Sequence, residues 1–373
     1  MSQECLRVAL AGAGDLGGKC LEALPQAGAW KLVALSDQSA RIGEKAAAAA
    51  GVPFFRDHRL LLTQLRPDVL LVATPAGPAL ELVRLAAQLN VHVVKAAPLA
   101  RTLDEAVSLV RATDGEGRTL TVLAPRRFNS AYRGLIQGAG LLGRVFLARA
   151  VQMFNWGGPF GWRGDQTSAG GGVLLEAGYE MIDLLVWALG VPEEVYAVTG
   201  RQGRPHMVQA GGDVEPLGVY DTDDTAVATL RYSGGAAASV AVSWTAAPAM
   251  ELVALHGQSG SAEARPTECI FRDSAGKVLQ RIAADDRPAT VLAEQLRCVE
   301  QYLMGEAARA RAAKAAGAAG ESGHAPSSAR EHLLTMAVIE AAYLSDRTGQ
   351  PEHPARLLQT HGLTIADCMA GPA

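Results

Sequence analysis

The sequence feature that most constrains the fold is a glycine motif near the amino terminus. Gly12, Gly14 and Gly17 have the spacing G-x-G-x-x-G. The motif directly follows the apolar run 6–10 and opens a helix-compatible segment, 16–27. At such a strand-to-helix junction Gly12 permits a tight turn, Gly14 lets a pyrophosphate approach the backbone, and Gly17 allows the helix to pack closely on the strand. The motif therefore predicts a β-α unit with a nucleotide at the carboxyl end of its strand.

Short apolar runs alternate with longer helical patterns over the first 124 residues. This alternation is typical of a parallel sheet whose strands are joined by crossover helices. The predicted strands are 6–10, 32–35, 69–73, 92–94 and 120–123. The predicted helices are 16–27, 41–50, 78–89 and 103–112. The fold class predicted for this half is α/β, a Rossmann-type doubly wound parallel sheet.

An acidic residue at the end of the second predicted strand bears on the choice of nucleotide. Asp37 lies 20 residues beyond Gly17, where a carboxylate can accept hydrogen bonds from an adenine-ribose diol. It favours NAD over NADP, because a 2′-phosphate would face its negative charge, although the nearby Arg41 could soften that preference. The alternative explanation is a glycine turn in an α/β domain that binds no ligand.

The pattern changes after residue 124, and a second domain is predicted from 125 to 350, followed by a tail, 351–373. Helices are predicted at 130–137 and 173–189, and strands at 144–153, 225–230, 236–244 and 252–256. These runs indicate a C-terminal α+β domain with an open, mostly antiparallel sheet. Residues 306–328 are rich in Ala and Gly and are predicted to be a helical extension that runs into a mobile surface loop.

Charge and cysteine usage restrict the partners and the compartment. The chain has 34 Lys plus Arg against 38 Asp plus Glu, a net charge of −4, and no long basic tract, which argues against nucleic acid. Its five cysteines are widely separated and argue against a disulfide framework or a zinc site. No apolar run reaches the roughly 18 residues of a membrane-spanning helix, and no signal peptide is recognisable. We therefore expect a soluble, cytoplasmic protein.

Further motifs carry a resemblance to a known family. They are Ala73-Thr-Pro75, the segment 92–100, Arg126-Arg-Phe128, Trp162-Arg163 and the segment 170–183. Together with the glycine motif, they resemble the glucose-fructose oxidoreductase / inositol dehydrogenase / rhizopine-catabolism (Gfo/Idh/MocA) family over about residues 5–260. The resemblance implies a dinucleotide-binding domain, a second domain whose open sheet makes homo-dimer or homo-tetramer contacts, and NAD(P)-dependent oxidation of a sugar or cyclitol hydroxyl.

The same resemblance, with the glycine motif, implies a set of cofactor contacts. NAD is the expected cofactor, with NADP as the second choice. The residues expected to contact it are Gly12, Gly14, Asp15, Leu16, Gly17, Asp37, Arg41, Thr74, Pro75 and Pro98. No metal is expected, because a site built from Glu176, Glu180 and Asp183 would lack His or Cys ligands.

The sequence departs from the family at its usual catalytic positions. The family usually has Glu-Lys-Pro after the fifth strand, where the lysine orients substrate and relays protons; this chain has Ala96-Ala97-Pro98. The family's helix usually carries Asp-x-x-x-His, with the histidine as general base; this chain has Glu176 and Glu180. The resemblance therefore implies the backbone of the family's site without its usual acid-base set.

Three residues are candidates for the missing chemistry. Glu180 lies four residues after Glu176, so both side chains share one helix face, and two neighbouring carboxylates raise one pKa towards the range of a general acid or base. Lys95 precedes the vacant lysine position by two residues, and side chains two apart in a strand point to the same side. Tyr179 is a further possible proton donor. The alternatives are glutamates that only pair with arginines, a structural lysine and a tyrosine packed in the core.

Aromatic and basic residues flank the start of the helix predicted at 173–189. Trp162, with Trp156 and Phe160, could form an apolar wall against a sugar ring. Arginine can bind a carboxylate or phosphate through paired hydrogen bonds. The expected substrate contacts are Arg126, Trp162, Arg163 and Glu176. A flexible connection with buried aromatics and structural arginines is the alternative.

The leading hypothesis is an NAD(P)-dependent oxidoreductase that acts on a small polar carbonyl, hydroxyl or imine compound. One alternative is a catalytically silent NAD-binding protein, which senses a metabolite or partners an active homologue. Another is an NAD-retaining lyase or glycosidase that performs net non-redox chemistry through a transient ketone.

Overall fold

The two halves of the chain build separate β-sheets. The structure, a computed structural model, describes residues 5–157, 160–201, 209–210, 213–214, 220–316 and 325–369. The strands of the first sheet are β1 (Leu6–Ala11), β2 (Trp30–Ser36), β3 (Phe54–Phe55), β4 (Val69–Val72), β5 (His92–Ala96) and β6 (Leu120–Leu123). The helices between them are α1 (Asp15–Ala23), α2 (Ala40–Ala50), α3 (His58–Leu65), α4 (Ala76–Gln88) and α5 (Leu103–Gly115).

All strand pairs of the first sheet are parallel, in the order β3-β2-β1-β4-β5-β6. Helices cover both faces, so β4 is buried along its whole length and reads as a continuous apolar run. This arrangement confirms the doubly wound α/β prediction. The sequence pattern missed β3 and α3, because two strand residues and eight helix residues are too short to show a clear period.

A second sheet of eight strands follows. Its strands are β7 (Val145–Asn155), β8 (Glu194–Gly200), β11 (Thr225–Arg231), β12 (Ala237–Ser243), β13 (Thr245–Gly257), β14 (Gly260–Arg265), β15 (Glu268–Asp273) and β16 (Val278–Ala283). β9 (Gln209–Ala210) and β10 (Asp213–Val214) form a separate antiparallel pair. In the large sheet only β7 and β12 pair in parallel among the strands that the structure describes. A mostly antiparallel second sheet is therefore confirmed.

Helices cover one face of the second sheet and leave the other open. The remaining helices are α6 (Ser130–Gln137), α7 (Gln166–Ala169), α8 (Val173–Leu189), α9 (Pro288–Ala316), α10 (Ala329–Thr348), α11 (Pro354–Thr360) and α12 (Ile365–Met369). Along β11, Ala226, Ala228 and Leu230 are buried while Val227 is exposed. α8 packs on the covered face, against β7 and β12, which sets the position of its amino-terminal turn.

The carboxyl-terminal helices return to the first sheet. α9 packs against α1, and Gln295 Nε2 on α9 donates to the carbonyl of Val122 on β6 at 2.7 Å. The helical extension predicted from 306 is present as far as Ala316, and the part of the predicted loop at 317–324 lies outside the described residues. Among the described helices, none is both long and apolar enough to cross a membrane.

Candidate active site

The glycine turn between β1 and α1 forms one wall of a cleft at the carboxyl edge of the first sheet. Gly12 has φ +91°, and a Cβ there would lie 2.7 Å from the carbonyl oxygen of Ala73. A Cβ on Gly17 would lie 2.0 Å from the carbonyl oxygen of Gly12, so this glycine serves helix packing. A Cβ on Gly14 would meet nothing within 4 Å. The open space at Gly14, at the amino end of a helix, fits a pyrophosphate.

Asp37 lines the cleft beside the glycine turn and is held by two backbone amides. Its Oδ2 accepts a hydrogen bond from Ala13 N at 2.7 Å, and its Oδ1 accepts one from Ser39 N at 2.8 Å. The hydroxyl of Thr74, which also lines the cleft, is buried and has no hydrogen-bond partner among the described residues. A fixed carboxylate and an orphaned hydroxyl are groups that a dinucleotide can satisfy. The residues present therefore fit NAD.

Most of the predicted cofactor residues line this one cleft, whose volume is about 390 Å³. The members that line it are Gly12, Gly14, Asp15, Leu16, Asp37, Thr74, Pro75 and Pro98. Gly17 and the exposed Arg41 are not part of its wall. His58 lines it as well, with Nδ1 2.6 Å from Ser36 Oγ. The sequence analysis missed His58, because α3 was not recognised.

Lys95 lines the same cleft, although it belongs to strand β5, which lies between β4 and the edge strand β6. It pairs with Val72 on one side and Val122 on the other, and only 1% of the residue is exposed. Its Nζ donates to the carbonyls of Pro98 at 2.6 Å and Ala96 at 3.0 Å. Burial lowers the pKa of Lys95 to about 7, which the nearby Glu105 carboxylate only partly opposes. The amine therefore exchanges protons near neutral pH.

Glu176, on the first turn of α8, lines the same cleft as Lys95 and is paired with Arg163. Arg163 Nε donates to Glu176 Oε1 at 2.5 Å. The guanidinium stacks on two indole rings, 4.9 Å from the centroid of Trp156 and 4.5 Å from that of Trp162. Burial raises the pKa of Glu176, and Arg163 opposes that rise. Trp162, Arg163 and Glu176 thus meet at the cleft, as the sequence predicts.

Glu180 lies one turn further along the same face of α8 but does not line the cavity itself. Arg126 Nη1 donates to Glu180 Oε2. The Nε and Nη2 of Arg126 donate to Glu251 on β13 at 2.7 and 2.6 Å. Arg126 was expected to bind a substrate anion, but its guanidinium is occupied by two carboxylates of the chain. No motif marks Glu251, which sequence reasoning missed.

Tyr179 points away from the cleft. It is fully buried, its ring stacks on that of His332 at 5.6 Å, and its hydroxyl lies 3.1 Å from His332 Nδ1. Adjacent residues of a helix point about 100° apart, so a helix that directs Glu180 towards Arg126 turns Tyr179 into the core. In the same buried region, the carboxylate of Asp183 accepts hydrogen bonds from Arg127 and Thr335. Among the residues that the structure describes, no cluster of acidic, His or Cys side chains could hold a metal.

Comparison with family models and with curated proteins follows the same division of the chain. Residues 6–124 match "Oxidoreductase family, NAD-binding Rossmann fold", and residues 132–263 match "GFO/IDH/MocA C-terminal domain". The chain is 27% identical to D-apiose dehydrogenase of Paraburkholderia graminis, over 92% of this chain and 88% of that protein. It is 25% identical to D-glucoside 3-dehydrogenase of Escherichia coli, over 81% and 88%. The match to levoglucosan dehydrogenase of Pseudarthrobacter phenanthrenivorans is 26% identical and spans 55% of this chain and 57% of that protein.

Solved structures share the fold over nearly the whole chain. An oxidoreductase domain protein from Kribbella flavida superposes with a TM-score of 0.79 at 21% identity, covering 94% of this chain and 99% of that one. Levoglucosan dehydrogenase in complex with NADH and levoglucosan superposes with a TM-score of 0.78 at 19% identity, with the same coverage. Because two family models together match most of the chain and the fold agrees, the chain belongs to the Gfo/Idh/MocA family of NAD-binding oxidoreductases.

Proposed function

We propose that this protein is an NAD(P)-dependent oxidoreductase that acts on a small polar hydroxyl, carbonyl or imine compound, with Lys95, Glu180 and Glu176 in place of the family's usual acid-base residues. The observation that carries the proposal is the place of Lys95: its amine lines the cleft that contains the cofactor residues, although the lysine lies two positions before the family's. Relatives named as dehydrogenases of D-apiose, D-glucosides and levoglucosan favour a sugar hydroxyl within this class.

The glycine turn and Asp37 would hold the cofactor. Backbone amides at the start of α1 and the space at Gly14 would receive the pyrophosphate, and Asp37 would accept hydrogen bonds from the ribose hydroxyls. Bound NAD supplies the hydride acceptor for oxidation and, as NADH, the donor for reduction. The carboxylate of Asp37 favours NAD, and Arg163, the arginine among the described residues that lines the cleft, is paired with Glu176.

The side chains of the cleft and of α8 are proposed to transfer the proton at the substrate oxygen. Glu180, one turn from Glu176 on the same face of α8, is assigned as the general base that takes the hydroxyl proton. Burial raises its pKa above the usual value of a glutamate. Lys95 is held by the Pro98 and Ala96 carbonyls, and its ammonium form would have a third N–H to donate to the reacting oxygen. Glu176, fixed by Arg163, accepts a hydrogen bond from a second substrate hydroxyl. Trp162 offers an apolar face to the ring.

The test is turnover of NAD and NADP with a panel of sugars, cyclitols, keto acids and imines, followed by nicotinamide absorbance. Lys95→Met and Glu180→Gln should each lower kcat by about 10²-fold or more, the usual contribution of a proton-transfer group. Lys45→Met, which changes an exposed lysine on α2, is the matched control and should leave kcat unchanged. Full activity in both site variants would remove the assigned acid-base set.

A catalytically silent NAD-binding protein is the competing function, and the occupation of Arg126 and Glu180 by each other favours it. It predicts tight NAD binding without turnover of any compound in the panel. An NAD-retaining lyase or glycosidase would instead consume substrate without accumulating NADH. Product analysis by mass spectrometry beside the absorbance assay separates these three outcomes.

We further propose that the open face of the second sheet pairs with another copy of the chain. Val198, Val227, Ala241 and Val151 are neighbours across four strands on this face. Val198 and Val227 are 56% and 52% exposed, an apolar stripe that a homo-dimer would cover. Val227→Glu should reduce the mass measured by light scattering, and a monomeric wild-type protein would contradict the proposal.

The five unpaired cysteines support a reducing, cytoplasmic setting.

A further inference from the structure

One guanidinium in this protein is shared by two glutamates from different elements. Arg126 lies in the turn after β6 and uses Nε and Nη2 for Glu251, and Nη1 for Glu180. Glu251 comes from the second sheet, and Glu180 from the helix that carries Glu176. All three side chains keep some solvent exposure, 25% for Arg126, 17% for Glu251 and 13% for Glu180. One positive charge is thus divided between two negative ones.

The two carboxylates are held unequally. Glu251 accepts paired hydrogen bonds from Arg126, one from the Tyr132 hydroxyl at 2.6 Å and one from Gln152 Nε2 at 3.3 Å. Among the described residues, Arg126 is the hydrogen-bond donor recorded for Glu180, and it contributes one N–H. Since hydrogen bonds to a carboxylate favour its ionised form, Glu251 retains its charge more readily than Glu180.

We propose that Glu251 is a positioning residue for the reaction: by occupying the paired N–H groups of Arg126, it leaves Glu180 free to take up a proton. The inference rests on the proposed function, in which Glu180 accepts the proton of the substrate hydroxyl. Without Glu251, Arg126 would turn its full charge and its paired donors to Glu180. That carboxylate would then remain ionised and would be a poorer base.

The other charged groups around Glu180 do not replace Glu251 in this role. Asp183, on the same helix, raises the pKa of Glu180 slightly but is itself held by Arg127 at 2.7 Å through both carboxylate oxygens. Asp286 acts electrostatically on Arg126 and Glu251 from the loop after β16, and Tyr132 on α6 reaches only Glu251. Burial is the main cause that raises the pKa of Glu180, Arg126 lowers it, and Glu251 raises it again. The pKa of Glu251 lies below its usual value, because its hydrogen bonds outweigh the effect of burial.

The decisive variant is Glu251→Gln, which removes the charge and nearly keeps the shape. The acidic limb of the kcat/KM profile should move to lower pH by about one unit or more, since an unshared arginine lowers a neighbouring carboxyl pKa by 1–3 units. Glu251→Asp, which retains the charge, should restore the wild-type limb. Glu263→Gln on β14, whose partner is the surface residue Arg265, is the matched control and should not move it.

A second measurement decides the inference without turnover. Carboxyl-¹³C glutamate labelling with NMR titration, in which Glu180 is assigned from its missing signal in Glu180→Gln, should show a lower midpoint for Glu180 in Glu251→Gln. Should the amide variant fail to fold, Glu251→Ala removes the same charge and carries the same expectation. An unmoved Glu180 midpoint would overturn the inference, even if kcat or the unfolding temperature falls. If the wild-type protein turns over no substrate, the proposed function fails while the titration still tests Glu251.

Discussion

A lysine buried inside a sheet makes protein stability depend on pH in a way that can be measured. Lys95 is almost completely enclosed, and burial lowers its pKa from 10.5 to about 7. Between these values the unfolded chain keeps the lysine proton while the folded chain loses it. Stability rises with pH wherever the unfolded state binds more protons, so the fold gains stability as pH increases from about 7 towards 10.

The size of the effect follows from the two pKa values. Each pH unit inside the window contributes about 1.4 kcal/mol, and the curvature at both ends reduces the total gain from about pH 6 to pH 9 to roughly 2–3 kcal/mol. Lys95→Met has no such group to titrate. The free energy of unfolding of the wild type, minus that of this variant, should therefore rise by about 2–3 kcal/mol over this range. Lys95→Met also removes the hydrogen bonds to Pro98 and Ala96. This loss changes the free energy of unfolding equally at both ends of the pH range, so it cancels in the comparison.

Urea unfolding of the wild type, Lys95→Met and Lys45→Met at both pH values is the assay. The Lys45 variant should differ from the wild type by the same amount at each pH, because its side chain is exposed in the fold. A Lys95 difference that stays constant within about 0.5 kcal/mol would refute the buried, easily deprotonated amine. It would also remove the reason for assigning Lys95 to proton exchange at neutral pH.

Four other variants test the cleft. Gly14→Ala should keep the unfolding temperature but weaken NAD binding about tenfold or more in a fluorescence titration, because its Cβ enters only the space meant for the ligand. Gly12→Ala should instead destabilise the fold by about 1–3 kcal/mol, because its Cβ contacts the backbone and its φ is +91°. Asp37→Asn should reduce the ratio of NADP to NAD dissociation constants by about tenfold, since it removes the charge that faces a 2′-phosphate. Arg163→Met should raise the pKa of Glu176 further. KM should then increase more than kcat falls, most clearly at acidic pH. A KM that does not depend on pH would contradict the role of Arg163 in keeping Glu176 ionised.

The elements that the sequence predicted well are those whose ends are marked locally. α8 spans Val173–Leu189 as expected, since Gly172 precedes it and Gly190 follows it. α6 also has the predicted bounds, with the side chain of Asn129 capping its first turn. β3 and most of α9 were not predicted. A two-residue strand exists only because β2 offers its edge, and α9 is stabilised by packing on α1 rather than by a strong apolar period.

The candidate site divides in the same way. The glycine motif and Asp37 could be recognised because their spacing along the chain carries the information, and Trp162-Arg163 because it resembles a motif of the family. Arg126 was expected to bind a substrate anion, and spacing along the chain could not test this. The carboxylate that its guanidinium binds instead belongs to Glu251, which lies 125 residues away. Tyr179 and Glu180 are neighbours in sequence, yet one enters the core and the other meets Arg126.

Local sterics and periodicity in the chain were enough to predict the parallel sheet and the nucleotide cradle, because backbone turns and strand-helix alternation are properties of neighbouring residues. The family was indicated by the resemblance of short motifs. The chemistry beside that cradle depends on folding. Burial of Lys95 between two strands lowers its pKa, and the division of Arg126 between Glu180 and Glu251 determines which carboxylate can hold a proton. Both effects arise from solvent exclusion and from charges brought together across long sequence separations, which no local pattern records.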